Sequence, residues 1–201
     1  MLLALDIDDT IAKTNYHWAK LCYEKHGYSN KKGIEEILQK YEYVRHVPAW
    51  QNSTIVADFF NTPEKWLEIP PFEGSSDTTS KYECVFGCYL TTRPSYLRSV
   101  TIKWLSENGF PKLPLYMPEK DKNPLEWKAE VLSNMLPKIS GIIDDNYELL
   151  QILFAVDYLG RVFRFGYERK ELCFPKSVFH FTDWMSIRQY LEKTNKQNFG
   201  V

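Results

Sequence analysis

Short apolar runs that end in acids or hydroxyls recur along this chain, and helical stretches separate them. Leu2 to Ile7 reads as a buried strand running into a cluster of acids. Residues 14–27 carry Trp18, Leu21, Cys22 and Lys25 at helical spacing, with Gly27 as a stop and Thr14 or Asn15 as the starting cap. Helical pieces follow over 33–38, 53–60 and 62–67, the last with Thr62 placed to cap and Pro63 at the first helical position. Pro70-Pro71 breaks that pattern and Gly74-Ser75-Ser76 marks a turn.

From there strands and helices alternate. Strands are predicted over 83–90, 113–117, 139–143, 161–165 and 178–181, and helices over 94–108, 124–136, 147–154 and 184–193. In the 94–108 helix Leu97, Val100, Thr101, Trp104 and Leu105 face inward, and Gly109 ends it. Strands and helices of these lengths in alternation predict an α/β fold: a doubly wound, Rossmann-like parallel sheet with helices on both faces. Ligands on such sheets sit at the carboxyl ends of the strands. Asp6, Thr91 and Asp144-Asp145 each follow an apolar run directly, so three strand ends can converge on one crevice.

Composition narrows the class. The 201 residues suit one domain, or one domain with an insert. Hydrophobic residues make up 44% and charged residues 25%, as in ordinary globular proteins. A formal net charge of −1 gives no overall pull toward nucleic acid or anionic membranes. No apolar run approaches the roughly 20 residues that span a bilayer. The apolar start lacks the basic segment of a secretory leader. Cys22, Cys84, Cys88 and Cys173 lack metal-binding spacing. Cys84 and Cys88 read as buried free thiols in an apolar run, and a reducing cytoplasmic setting is expected.

Four constellations carry candidate chemistry. In Asp6-Ile7-Asp8-Asp9-Thr10, crowded carboxylates raise one another's pKa unless a cation compensates, and magnesium suits such oxygens. One carboxylate can attack phosphorus, and another two residues on can move protons. An acidic turn is the bland alternative. In Leu90-Thr91-Thr92-Arg93-Pro94, hydroxyls and backbone N–H groups at a helix start can hold a phosphate oxygen, or merely cap the helix. Arg93 either binds substrate or anchors the loop. Lys128, 16 residues before Asp144, either neutralises a transferring phosphoryl group or lies on the surface; Lys120 and Lys122 are the fallbacks. Asp144-Asp145-Asn146 again suits a divalent cation, or a helix cap and turn.

Taken in order, the set resembles the haloacid-dehalogenase superfamily. Asp6-Ile7-Asp8-Asp9-Thr10 matches its first motif, Thr91 its second, Lys128 its third and Asp144-Asp145 its fourth. The resemblance spans a core over 1–12 and 73–201 and a helical cap over 13–72. It implies a magnesium-dependent phosphatase with Asp6 as nucleophile and Asp8 as general acid and base. Thr91 and Lys128 would stabilise the phosphoryl group, with Thr10, Thr92 and Arg93 as substrate-binding candidates. Asp6, the Asp8 carbonyl and Asp145 would hold the metal, with Asp144 as a further candidate.

A cap of this size, Pro70-Pro71-Phe72-Glu73-Gly74 and the paired acids of the fourth motif resemble small-capped deoxyribonucleotide 5′-nucleotidases. The expected substrate is a small phosphomonoester such as a nucleoside monophosphate. The alternatives are another small metabolite phosphate, a non-catalytic binding protein and, against the near-neutral charge, polynucleotide end repair. The insert's aromatics (Tyr16, Trp18, Tyr41, Tyr43, Trp50, Phe59, Phe60 and Trp66) either stack on a substrate or form the insert's own core.

Overall fold

The structure is a computed structural model that describes residues 2–28, 33–119, 122–167 and 178–199. Six parallel strands form one sheet: β1 (Leu3–Leu5), β2 (Phe86–Leu90), β3 (Leu115–Tyr116), β4 (Gly141–Asp144), β5 (Arg161–Phe165) and β6 (Val178–Phe181). Their spatial order is β3-β2-β1-β4-β5-β6. The chain builds outward from β1 on one side and then returns to build on the other. The direction therefore reverses at β1 and β4, the position where ligands bind in doubly wound sheets. The α/β expectation is met.

Alternation along the strands divides the core into two layers. Leu3 and Leu5 of β1, with Ile143, Phe163 and Phe165, face one side. There they meet α5 (Arg98–Glu107) and α8 (Trp184–Phe199) through Val100, Trp104, Trp184, Ile187 and Leu191. Ala4, Cys88, Leu90, Ile142 and Val162 face the other side. They pack on Ala129 and Leu132 of α6 (Pro124–Asn134) and on Leu149, Leu150 and Leu153 of α7 (Tyr147–Ala155). The five inward positions expected in the 94–108 helix are all buried. That helix starts later than its apolar pattern does, because Ser95–Leu97 forms a 3-10 turn first.

Close approach of β4 to its neighbours leaves no room for a side chain at Gly141. A Cβ there would stand 2.5 Å from the Arg161 carbonyl oxygen and 2.9 Å from a Leu3 methyl. Gly141→Ala is expected to lower stability by about 1–3 kcal/mol, read from the urea midpoint. An unchanged midpoint would mean that β4 and β5 can part without cost.

Between β1 and β2 lies a helical insert. It comprises α1 (Thr14–His26), α2 (Ile34–Tyr41), two 3-10 turns over Val44–His46 and Pro48–Trp50, α3 (Ile55–Asn61) and a 3-10 segment over Pro63–Glu68. Its entry and exit run side by side: Lys13 N donates to Pro70 O and Phe72 N to Ile11 O, both at 2.9 Å. The insert's last piece is a 3-10 segment without a Thr62 side-chain cap, where the sequence predicts a capped helix.

Three further expectations differ. Thr14 and Asn15 do not cap α1, since both side chains bond elsewhere. Residues 75–81 form a helix, α4 (Ser75–Lys81), where only a turn is predicted. Cys84 is exposed, because residues 83–85 form a 3-10 turn ahead of β2; Cys88 and Cys22 are buried free thiols, and Cys173 lies outside the described residues. Among the described residues no helix is long and apolar enough to cross a membrane.

Candidate active site

The acids gather where β1 and β4 end. Asp6 is the first residue past β1, and its N–H donates to Ile143 O at 3.0 Å, which locks it to β4. Asp144 ends β4, and Asp145 follows. One carboxylate oxygen from each of Asp6, Asp144 and Asp145 lies within 4.8 Å of the others, a cluster able to hold a cation. Such a donor set suits a hard divalent ion, which prefers carboxylate oxygen and water.

Lys128 already bridges two of these acids. It projects from α6, whose start is fixed by Asn123 capping Leu125 N and Glu126 N. Its Nζ lies 2.5 Å from Asp6 Oδ1 and 2.7 Å from Asp144 Oδ2. The side chain is buried rather than on the surface. Lys122 is exposed and Lys120 lies outside the described residues. Burial opposes the lysine's charge, yet Asp144 and Asp6 together hold its pKa above the ordinary value. Burial raises the Asp6 carboxyl to about 7 against the pull of Lys128, with Asp144 and Asp8 adding to the rise. Asp9 and Asp145 are also pushed well up, first by burial and then by neighbouring acids. A divalent cation would relieve this crowding.

The paired acids of the fourth motif do different jobs. Asp144 is fully buried; Oδ1 accepts from Asn146 N and Oδ2 pairs with Lys128. Asp145 instead borders both cavities of the site, and its Oδ1 accepts from Thr10 Oγ1 at 3.5 Å. Thr10 is buried and borders neither cavity; its carbonyl accepts from Trp184 Nε1 at 2.8 Å.

The Asp8 side chain stays outside the three-acid cluster. Arg93 Nε donates to Asp8 Oδ2 at 2.9 Å and Arg93 Nη2 to Oδ1 at 2.8 Å, while Thr14 Oγ1 donates to Oδ1 at 2.5 Å. The guanidinium is thus already occupied at the position expected to bind substrate. Thr91 is fully buried and its hydroxyl accepts from Arg93 N, whereas Thr92 lines the cavity.

A cavity of about 260 Å³ opens beside these residues. Asp6, Asp8, Lys128, Thr92 and Arg93 form its sheet-side wall, and Trp18, Val44, Arg45, Val56, Phe60 and Trp66 its insert-side wall. A second cavity, of about 250 Å³, adjoins it across Asp9, Asn15, Tyr43 and Asp145. The insert's aromatics therefore split. Tyr16, Trp18, Tyr43 and Phe60 reach a cavity, Trp50 and Phe59 are buried in the core, Trp66 is buried in that core and borders the cavity, and Tyr41 packs against the core.

Asn15 and Arg45 are cavity residues that sequence reasoning missed. Asn15 N donates to Asp9 Oδ1, its amide donates to Glu42 O, and its Oδ1 accepts from Val44 N. The acidic loop is thereby tied to the turn that presents Tyr43. A polar residue in the first turn of a helix that closely follows an acidic cluster was the available signal.

No family model and no curated protein matches the chain. Solved structures do. A haloacid-dehalogenase-superfamily hydrolase of subfamily IA from Geobacter sulfurreducens is 15% identical, with 94% of this chain and 96% of that one covered at a TM-score of 0.55. A hydrolase of the same family from Deinococcus radiodurans, with bound phosphate and sodium, is 12% identical, with 96% of each covered at 0.58. Protein tyrosine kinase A of Mycobacterium tuberculosis is 14% identical, with 94% and 97% covered at 0.59. The chain shares the α/β fold of these proteins, among them the two haloacid-dehalogenase-family hydrolases.

Proposed function

We propose that the protein is a magnesium-dependent phosphatase that hydrolyses a small phosphomonoester through a phosphorylated Asp6. The observation that carries this reading is Lys128 bridging Asp6 and Asp144, with Asp145 beside them and Asp8 on the same cavity wall. Asp6 and Asp145 would hold the ion, with the backbone carbonyl of Asp8 as the expected third protein ligand. When bound, magnesium would draw charge from the phosphoryl oxygens. Asp144 serves chiefly to anchor Lys128.

An Asp6 carboxylate oxygen attacks phosphorus, and the bond to the leaving oxygen breaks as that oxygen takes a proton from Asp8. Asp8 then takes a proton from water, whose oxygen displaces Asp6 from phosphorus and frees phosphate. Lys128 offsets charge on Asp6 and on the phosphoryl group throughout. Thr92, on the cavity wall, takes the phosphoryl contact expected of Thr91, whose hydroxyl orders the turn into Arg93. Thr10 holds Asp145 rather than substrate. An acid at Asp8 favours ester hydrolysis over dehalogenation, because an alkoxide needs a proton to leave.

Residues 13–72 act in this reading as a cap over the site. Trp18, Phe60 and Trp66, with Arg45, form a wall suited to a flat leaving group that carries polar edges. That supports a nucleoside monophosphate as substrate, and a cavity of about 260 Å³ favours small molecules over polymers. The buried free thiols Cys22 and Cys88 suit a reducing compartment such as the cytoplasm.

Phosphate release from nucleoside monophosphates, sugar phosphates and an aryl phosphate, with magnesium and with chelator, tests the reading. Release is expected to require the metal and to be fastest with a nucleotide. Equal turnover with chelator would remove the metal from the reaction. A sugar phosphate preferred tenfold over every nucleotide would remove the nucleotide assignment alone.

A further inference from the structure

The surroundings of Arg93 go beyond what an anchor for a loop needs. The residue is 2% exposed, and its guanidinium lies close to two indoles, 4.5 Å from the Trp66 ring centre and 5.9 Å from that of Trp104. Nη1 donates to Thr101 Oγ1 at 3.3 Å, and the remaining edge grips both oxygens of Asp8. Trp104 and Thr101 belong to α5, a rigid helix of the sheet layer, and Trp66 belongs to the insert. A buried guanidinium in a fixed plane aims a carboxylate, because two parallel N–H bonds leave the pair no freedom to twist.

Counting acceptors shows what that aim selects. A carboxylate offers about four lone-pair sites. On Asp8, Thr14 and Arg93 Nη2 take both sites of Oδ1, and Arg93 Nε takes one of Oδ2. One site remains, on Oδ2, of a side chain that keeps 24% of its surface open on the cavity wall. We infer that Arg93 is a positioning residue which, with Thr14, selects Asp8 Oδ2 as the atom that carries the transferred proton, and which links that atom to the insert through Trp66. The inference rests on the acid role proposed for Asp8. In the first half of the reaction the proton leaves Oδ2 for the leaving oxygen as the P–O bond breaks. In the second half Oδ2 receives a proton from the attacking water.

Leaving groups of graded basicity separate this role from substrate binding and from general support of the fold. The protein is assayed with magnesium on 4-nitrophenyl phosphate, phenyl phosphate and an alkyl phosphate. A 4-nitrophenolate leaves unaided, and an alkoxide does not. Arg93→Met is expected to lower kcat on the alkyl ester about 100-fold and on the nitrophenyl ester less than tenfold, in line with what a lost general acid costs. Arg93→Lys should recover part of the alkyl rate, and Asp8→Asn should show the same selective loss. Adding Arg93→Met to Asp8→Asn should cost nothing further on the alkyl ester.

An equal fall for every ester, or a raised KM with kcat intact, would overturn the positioning role and leave Arg93 a structural or phosphate-binding residue. A selective loss in Asp8→Asn without one in Arg93→Met would sink this inference and spare the acid role. No selectivity in Asp8→Asn would sink both. If Arg93→Met fails to fold, Thr101→Val removes the Nη1 contact alone, and the same ester preference decides the matter at smaller size.

Discussion

Asp6→Asn is expected to lower phosphate release by at least about four orders of magnitude, the scale seen when a nucleophile is removed from a working constellation. An amide oxygen at this position cannot form the phosphorylated intermediate, and no other acid stands in the same place. Asp145 is near but follows a different strand, and Asp8 is gripped by Arg93 and Thr14. The fold should survive, since the change is isosteric and Lys128 keeps Asp144 as a partner. Single-turnover assays with a radiolabelled phosphomonoester would show label retained on the wild-type protein after acid quench and none on the variant. Label retained by Asp6→Asn at wild-type level would place the nucleophile elsewhere.

The second large effect concerns Lys128. Lys128→Met is expected to remove activity and to cost about 3–5 kcal/mol of stability near pH 8, the usual penalty for stranding a buried charge. The sign of the pH dependence follows from Asp6. Its carboxyl is raised to about 7 even with the lysine present, from an ordinary value near 3.8, so the folded state favours the protonated form. A group shifted this way contributes fully below its unfolded pKa, and that contribution is lost as pH rises through the folded one. Without Lys128 the folded value moves higher still. The variant should therefore lie closest to wild type near pH 4 and fall away as the medium becomes neutral and then alkaline. Urea midpoints for both proteins at pH 5 and pH 8 measure this. An equal loss at the two values would mean that the lysine acts through packing and not charge.

Much of the architecture was legible because the strands end where chemistry begins. An apolar run can be read without knowing its neighbours, and so can an acid that follows it. Asp6, Thr91 and Asp144-Asp145 were expected to converge at three strand ends; the sheet order sets β2, β1 and β4 side by side, and Asp6 meets Asp144 and Asp145 there, while Thr91 is buried beside the cavity. Other features had no local signature. Helix α4 is written in Ser, Thr and Asp, and it buries Ser75, Thr78 and Thr79 in place of an apolar stripe, so periodicity could not reveal it. Arg93 and Asp8 are 85 residues apart, and no spacing rule says which partner a guanidinium will choose. The same holds for Thr91 and Thr92, adjacent hydroxyls just past β2, of which one is buried against Arg93 N and the other lines the cavity. The aromatic insert was legible as a group, yet its division between core and cavity depends on helix orientations fixed by tertiary contacts.

Trp184 gives the molecule an order of assembly. Its indole N–H closes on the carbonyl of Thr10, 174 positions earlier, beneath the loop that carries the reactive acids. A chain emerging from the ribosome cannot finish that loop until α8 has followed, however early β1 is made. Its first-made chemistry is thus among the last to become competent, and half-synthesised chains carry these acids without the indole that completes their support.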